Sequence, residues 1–337
     1  MHRRTLDDVR SAVRDHRLWL PGQRVLLACS GGADSAGALE LLRRLQRTLG
    51  HGLAVGHVDH GLWPGSAAAA QHVSKLADEL GVPFAVRRLQ LRDGPDLEAR
   101  ARAARYEALA EMAAKLGCAV VATAHHADDQ AETLVLRLAR GAGVDALAGI
   151  RRRRDDGVVR PFLGVTRAEL RAWAPTAVVE DPSNADPRFA RNALRQQVMP
   201  ALAEVVPGAV AGLARTAAVL AAHEGELARW RDRVLKGRWH DGVLNLDGLS
   251  LVPADAAELL RFLAARVGAP QPGQRAIAQL AQVLSMPRGE VRCHRLIVLK
   301  EAHLLRAMRP EVARPQGADY LADGGDAPHG RSQPPQE

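Results

Sequence analysis

Residues 24–35 read Arg24-Val25-Leu26-Leu27-Ala28-Cys29-Ser30-Gly31-Gly32-Ala33-Asp34-Ser35. Arg24 to Cys29 form a short, mostly apolar run that meets a Gly-Gly pair, and beyond it Ala38, Leu39, Leu41, Leu42 and Leu45 recur at helical spacing. The implied unit is strand, tight loop, helix. A loop of small residues at a helix N-terminus exposes several backbone N–H groups, which suits it to holding phosphate. No lysine follows the glycines, so the loop is not of the kind that places a lysine at the β and γ phosphates. An acid inside such a loop, Asp34, would be repelled by polyphosphate unless a cation lay between them, which implies Mg²⁺. The plainer reading is a glycine turn with a capping aspartate.

Similar units follow outward from this one. Strands are expected at Leu53 to Val58, Phe84 to Leu89 and Ala119 to Ala124, with helices at Ser66 to Leu80 and Asp96 to Leu116. Strands alternating with helices of this length imply an α/β fold with a parallel sheet covered on both faces, in which ligands bind at the C-terminal ends of the strands. Arg151 to Gly157 breaks the pattern as a surface turn, and Thr166 with Glu169 predicts a capping box opening another helix. A further helix is expected from Pro187 to about Val206, stopped by Pro207-Gly208. Ala209 to Lys236 reads as a long bridging helix. Beyond it lie a strand at Val243 to Leu246, helices at Ala254 to Arg266 and Gln274 to Leu284, and a hairpin through Val291 to Leu299 and His303 to Met308. The expected organisation is a nucleotide-binding catalytic domain at 1–207, the bridging helix at 208–236, a small C-terminal α/β domain at 237–309 and a disordered tail at 310–337, rich in Pro, Gly and Gln. No internal repeat is evident.

Hydrophobic residues make up 47% of the chain and charged residues 25%, and no apolar run approaches the roughly 18 residues a membrane span needs. The N-terminus intersperses acids where a signal peptide needs an unbroken apolar stretch, so the expected location is the cytoplasm, with no membrane partner. Cys29, Cys118 and Cys293 are far apart and unpaired in sequence, against a zinc ribbon or disulfide framework. The net charge of +8 fits a partner bearing phosphates.

The second chemical constellation is Ala124-His125-His126-Ala127-Asp128-Asp129-Gln130-Ala131-Glu132-Thr133, which follows a strand and so sits at the same end of the sheet as the glycine loop. On a helix, Glu132 shares a face with Asp128 or Asp129, and acids clustered this way bind a metal or a cationic substrate. Their plainer role is to complement the helix macrodipole. His57, Asp59 and His60 have zinc-like spacing but no evident third and fourth ligand, so this loop is read as bordering the nucleotide or substrate cleft. The scattered tryptophans are read as core packing.

The loop SGGADS resembles the PP-loop of the N-type ATP pyrophosphatases, which split ATP into AMP and pyrophosphate and adenylate an oxygen of their substrate. HHADDQAET is similar to the HHxDDQxET motif of the tRNA(Ile)-lysidine synthetases within that superfamily. Further matches line up in order: His57-Val58-Asp59-His60-Gly61-Leu62; Leu97-Glu98-Ala99-Arg100 with Arg102, Arg105 and Tyr106; Arg160-Pro161-Phe162-Leu163, where Phe162 replaces the family's leucine; and Glu180-Asp181-Pro182-Ser183-Asn184 with Arg191-Asn192 and Arg195. The resemblance covers about residues 20 to 200.

What it implies is ligation of lysine to C2 of the wobble cytidine in the CAU anticodon of isoleucine tRNA, with ATP and Mg²⁺ as cofactors. ATP binding falls to Ser30, Gly31, Gly32, Ala33, Asp34, Ser35, His57 and Asp59, with Asp34 as the Mg²⁺ ligand. L-lysine falls to Asp128, Asp129 and Glu132, and catalysis to Asp34, Asp129 and Glu132. The tRNA side of the cleft takes His125, His126, Arg188, Arg191, Asn192 and Arg195, arginine's planar fork suiting both phosphates and base edges. Two other readings stand beside it: a tRNA thiolase of the same superfamily, disfavoured by the unpaired cysteines, and a non-catalytic tRNA-binding protein, disfavoured by the intact acids. The C-terminal segment is read as contacting tRNA outside the anticodon, or else as a packing surface that would make a homodimer. Relatives often carry a further C-terminal domain for which this chain is too short.

Overall fold

The computed structural model describes residues 2–61, 65–90, 97–142, 144–175, 178–179, 190–270, 272–293 and 295–310. Glu180 to Asn184, Pro187, Arg188 and the tail beyond Pro310 lie outside them.

The first unit is organised by a five-stranded sheet in the order β3-β2-β1-β4-β5, every pairing parallel. Its strands are β1 (Arg24–Ala28), β2 (Gly52–Asp59), β3 (Phe84–Arg88), β4 (Val120–Thr123) and β5 (Val158–Val159). The helices are α1 (His2–Asp15), α2 (Ala33–Leu49), α3 (Ser66–Glu79), α4 (Leu97–Lys115), α5 (Ala127–Ala139), α6 (Val144–Leu147) and α7 (Arg167–Arg171), then α8 (Ala190–Ala193), a π-helical segment Leu194–Val198, and α9 (Met199–Val205). The expected strand–helix alternation is what forms. Helix α1 and the two-residue β5 are additions that no reading of the sequence supplied.

The central strand shows why the apolar run carried no polar–apolar alternation. Val25 and Leu27 pack with Val13, Leu41, Leu42 and Val73 on one face, while Leu26 and Ala28 pack with Leu109, Met112 and Ala113 of α4 on the other. A parallel sheet covered on both faces needs apolar side chains at every position. Phe162 is fully buried in the first of these clusters, so the larger ring is absorbed by the core.

In this strand order the chain moves outward from β1 to one side, then crosses to β4 and β5 on the other. The crevice between the C-terminal ends of β1 and β4 is therefore the topological switch point, where an open α/β sheet accepts its ligand. The SGGADS loop leaves β1 there, and His125-His126 leaves β4 there.

Helix α10 (Ala209–Leu235) follows Pro207-Gly208 as the sequence implied. The chain divides into two compact units, with the boundary between Leu227 and Ala228, inside this helix. The second unit has a five-stranded sheet in the order β6-β7-β10-β9-β8, all antiparallel, with α11 (Ala256–Arg266) and α12 (Gln274–Leu284). Its strands are β6 (Trp239–His240), β7 (Val243–Asn245), β8 (Arg288–Cys293), β9 (Leu296–Glu301) and β10 (Leu304–Met308). The expected single strand Val291 to Leu299 is in fact split between Cys293 and Leu296 into two paired strands. Val291, Leu296, Val298 and Leu305 face Leu260, Leu263 and Leu280, so the inward-facing residues skip position by position as a one-face-buried sheet requires. Among the described residues, no single helix is long and apolar enough to cross a membrane.

Candidate active site

The loop after β1 is held by its own serines. The Ser35 hydroxyl donates to the Gly32 carbonyl at 2.9 Å and accepts the Ser30 N–H at 3.2 Å, with the Ser30 hydroxyl also at 3.2 Å. Ser35 is thereby buried inside the loop that it shapes. Gly31 takes φ +93°, a left-handed conformation that side chains rarely adopt, and packs against Ala69 and Val73 of α3. Gly32 is the N-cap of α2 and has no side chain to cap it. The first-turn N–H groups of Ala33, Asp34 and Ser35 thus lack a capping side chain, and the positive end of the helix dipole faces the crevice. His57, at the end of β2, joins the same loop: its Nδ1–H donates to the Cys29 carbonyl at 2.8 Å, and burial keeps the ring below its ordinary pKa and neutral. Asp59 is committed to its own turn, accepting the Gly61 N–H at 2.8 Å.

Helix α7 comes very close to α2, because a Cβ at Gly37 would overlap the Leu170 carbonyl. The capping box predicted at its start is present: Thr166 Oγ1 accepts the Glu169 N–H, and the Glu169 carboxylate accepts the Thr166 N–H at 2.9 Å. Arg167 and Arg171, one turn apart, are delivered onto Asp34. The Arg171 guanidinium donates to Asp34 Oδ1 at 2.7 Å, and Arg167 stands 3.5 Å from Oδ2. Burial would raise the Asp34 carboxyl, yet the charge of His126 at 3.8 Å and the hydrogen bond from Arg171 hold it far below the usual carboxylate range. Asp34 is charged at all physiological pH.

Across the crevice, α5 begins at His126, whose backbone N–H donates to Asp129 Oδ2 at 3.0 Å. The His126 ring, 2% exposed, sits among three acids: Nδ1 is 3.6 Å from Asp128, and Nε2 is 3.6 Å from Asp129 and 3.8 Å from Asp34. Burial alone would lower its pKa, but these carboxylates outweigh burial and push it up to about 9. His126 is therefore an imidazolium bridging the two motifs. Asp128 also accepts the Arg167 N–H at 2.7 Å and so ties α7 to α5. His125 points elsewhere, with Nδ1 at 2.7 Å from Thr123 Oγ1; burial and then the charges of Arg160 and Arg105 hold it well below its ordinary value.

Asp129 and Glu132, 8% and 2% exposed, are neutralised by two arginines from the helical run after residue 190. Arg191 reaches Asp129 at 2.8 Å and Glu132 at 2.9 Å, while Arg195 grips both Glu132 oxygens at 2.6 and 2.9 Å and Asp129 at 3.2 Å. Buried carboxylates persist only when paired in this way. The π-helical segment that carries Arg195 is of a type often found at functional sites. The sequence placed these acids and arginines in one cleft but on different ligands; the structure brings them onto each other.

A sequence family described as a PP-loop domain matches residues 5–202. The tRNA(Ile)-lysidine synthase of Salinispora tropica is 39% identical over 319 residues, covering 90% of this chain and 96% of that one. That of Salinispora arenicola is 42% identical over 277 residues, covering 79% and 83%. The chain belongs to the tRNA(Ile)-lysidine synthase family. Family members differ in length: against that of Pseudomonas aeruginosa, 43% identical over 247 residues, this chain spans 55% of the protein. Among solved structures, the U34-tRNA thiolase NcsA from Methanococcus maripaludis is similar with a TM-score of 0.54 over 66% of this chain and 78% of that one. At 18% identity this likeness shows a shared fold.

Arg167 and Arg171 are the site residues that sequence reasoning missed. The capping box had predicted their helix, and the four-residue spacing of the two arginines on it was the available signal. Asn192 lies on α8 beside Arg191, half-buried.

Proposed function

We propose that this chain ligates lysine to C2 of the wobble cytidine in the CAU anticodon of isoleucine tRNA, cleaving ATP to AMP and pyrophosphate. The observation that carries this reading is the uncapped N-terminus of α2 facing, across the β1/β4 crevice, the acid-bearing start of α5, in a chain of the lysidine synthase family. ATP lies with its phosphates at the N–H groups of residues 31–35, and His57 borders the nucleotide. The cytidine O2 attacks the α-phosphorus and pyrophosphate leaves. The lysine ε-amine then attacks C2, and AMP leaves with the oxygen. A free lysine ammonium has a pKa of about 10.4, so attack requires loss of a proton to a neighbouring carboxylate. Asp129 or Glu132 is the candidate acceptor, in which case the substrate ammonium shares these acids with Arg191 and Arg195.

Mg²⁺ takes oxygen ligands, commonly one or two carboxylates together with substrate phosphates. Asp34 would fit that role, a carboxylate in the first turn of α2 beside the N–H groups that face the phosphates. Among the described residues no group of three His, Cys, Asp or Glu side chains could hold a metal by itself, so the ion would arrive with the nucleotide, whose phosphate charge it offsets. His125, Arg191, Asn192 and Arg195 are assigned to the tRNA side, as is Arg188 outside the described residues. The matching location is the cytoplasm. A thiolase reading finds no support in the cysteines, which lie in or beside β1, β4 and β8.

The test is incubation with ATP, Mg²⁺, labelled lysine and an isoleucine tRNA transcript bearing CAU, repeated with Asp34→Ala and with methionine tRNA. Lysine incorporation that depends on ATP and disappears in both controls is expected. Pyrophosphate release without lysine transfer would keep the adenylation and reject the second substrate.

A further inference from the structure

Two of the matched motifs have no role so far: the α4 segment with Arg102, Arg105 and Tyr106, and the segment that begins at Arg160. The fold brings them together. Helix α4 leads into β4, so its N-terminal half lies at the same end of the sheet as the crevice. Arg160, next after β5, is 3% exposed; its guanidinium donates to the Arg151 carbonyl and interacts electrostatically with the Tyr106 phenol. Its Nε is buried without a hydrogen-bond partner. Arg102 and Arg154 stand 5.3 and 4.4 Å from the centre of the Tyr106 ring. Arg154 is paired with Asp156 at 2.6 Å, whereas Arg102, Arg105 and Arg160 have no carboxylate partner among the described residues. Arg105 adjoins Tyr106 in the N-terminal half of α4, and its charge, with that of Arg160, helps keep His125 at the end of β4 below its ordinary pKa.

Three guanidiniums of one sign, one of them almost wholly buried, repel each other, and among the described residues no carboxylate offsets their charge. Elsewhere in the same cleft every buried charge is matched. A buried cation left with an unused N–H is accounted for when an anion completes the set.

We propose that Arg105, Arg160 and the Tyr106 hydroxyl, with Arg102 at the rim, form an oxyanion pocket that takes the α-carboxylate of the amino-acid substrate. This rests on the ligase reading above. A free amino acid carries charges of both signs, and the cleft offers an acidic half at Asp129 and Glu132 beside this basic half, divided at the consecutive residues His126 and His125. A tRNA backbone phosphate has the same oxyanion chemistry. The burial of Arg160 favours the smaller group, since a polymer backbone does not reach a side chain so enclosed.

The test is Arg105→Ala, with Arg105→Gln retaining side-chain length should the shorter variant lose its fold. Three quantities are read for each: the KM for lysine in lysidine formation, the Kd for the isoleucine tRNA transcript with its salt dependence, and pyrophosphate release with tRNA and ATP alone. Cadaverine, which is lysine without its carboxylate, serves as a competitor. The expected result is a KM for lysine raised about ten- to hundredfold, the loss of one charge-assisted hydrogen bond, with cadaverine inhibition, tRNA affinity and pyrophosphate release all within about twofold of wild type. Weakened tRNA binding with a salt slope reduced by about 1, and an unchanged KM for lysine, would keep the pocket but assign it to a phosphate and overturn the carboxylate. Unchanged lysine KM and unchanged tRNA affinity in a folded variant would overturn the pocket itself. If the wild-type chain transfers no lysine at all, the ligase reading fails separately, and the tRNA arm still decides whether the pocket binds an oxyanion.

Discussion

His125 and His126 are neighbours in sequence and opposites in environment. His126 looks into the acidic half of the cleft, where Asp34, Asp128 and Asp129 push it up to about 9. His125 looks into the basic half, where burial and then Arg160 and Arg105 push it well below its ordinary value. At pH 7 one ring is an imidazolium and the other neutral, one residue apart. The acidic half is compensated within the chain: Arg167 and Arg171 on Asp34, Arg191 and Arg195 on Asp129 and Glu132. The basic half is not compensated by any acid among the described residues. The matched charges hold the cleft together and would be shared with a ligand, whereas the unmatched ones have no carboxylate to give up.

The comparison can be broken most severely at Glu132. Replacing it with alanine leaves Arg191 and Arg195 without their shared anchor in a buried site, at a cost of about 2–4 kcal/mol, moderated because Arg191 is partly solvated. Urea unfolding should show this loss together with loss of lysidine formation; a stability change below about 1 kcal/mol would mean that the cluster is not the strut described here. Asp34→Asn is next. It keeps the shape of the loop but removes the charge facing His126, Arg167 and Arg171, and tRNA-dependent pyrophosphate release should fall about hundredfold, as expected when reacting groups are misplaced.

The two histidines make the comparison measurable by pH. His126 has a folded pKa raised above its unfolded value of about 6.5, so its stabilisation is fully present below that value and is lost as pH rises through about 9. His125 has a depressed folded pKa, so its contribution is present above about 6.5 and lost as pH falls. His51, buried with neither ring nitrogen bonded and held near pKa 4 by burial alone, adds to the same acid-side loss between about 6.5 and 4. Imidazole nitrogen NMR at pH 7.5 should find His126 protonated and His125 neutral, and His126→Gln should flatten the alkaline limb of the stability profile. Two neutral rings at that pH would erase the contrast.

The smallest effect is expected at Thr166→Ala, which removes the cap of α7 for about 1 kcal/mol. Because that helix presents Arg167 and Arg171 to Asp34, activity should fall by more than the stability loss alone explains, in the manner of Asp34→Asn but more weakly.

Much of this architecture was legible in the chain. An unbroken apolar run ending in Gly-Gly, followed by a change to helical spacing, can only be a buried parallel strand feeding a helix, and each later unit repeated that logic. Helix α1 was not legible because its apolar positions, Val9 and Val13, are few and its remaining surface is charged. The split between β8 and β9 was missed because the two strands share one alternating pattern across their turn. In the cleft, the sequence located the acids of α5 and the arginines after residue 190 but assigned them to separate ligands.

What the sequence by itself determined is local: which segments are strands or helices, where glycine permits a left-handed turn, and which residue types gather at strand ends. What only the tertiary structure decided is which charges face which. Glu132 and Arg195 are 63 residues apart, and Asp34 and Arg171 are 137 apart. Sequence patterns report neighbours within a turn or two, whereas pairing at that separation depends on how close the helices pack, as the bare Cα of Gly37 allows α7 to approach α2. The same fold separates His125 from His126: His126 is the N-cap of α5 and still has extended backbone, along which successive side chains point to opposite sides and so into different fields.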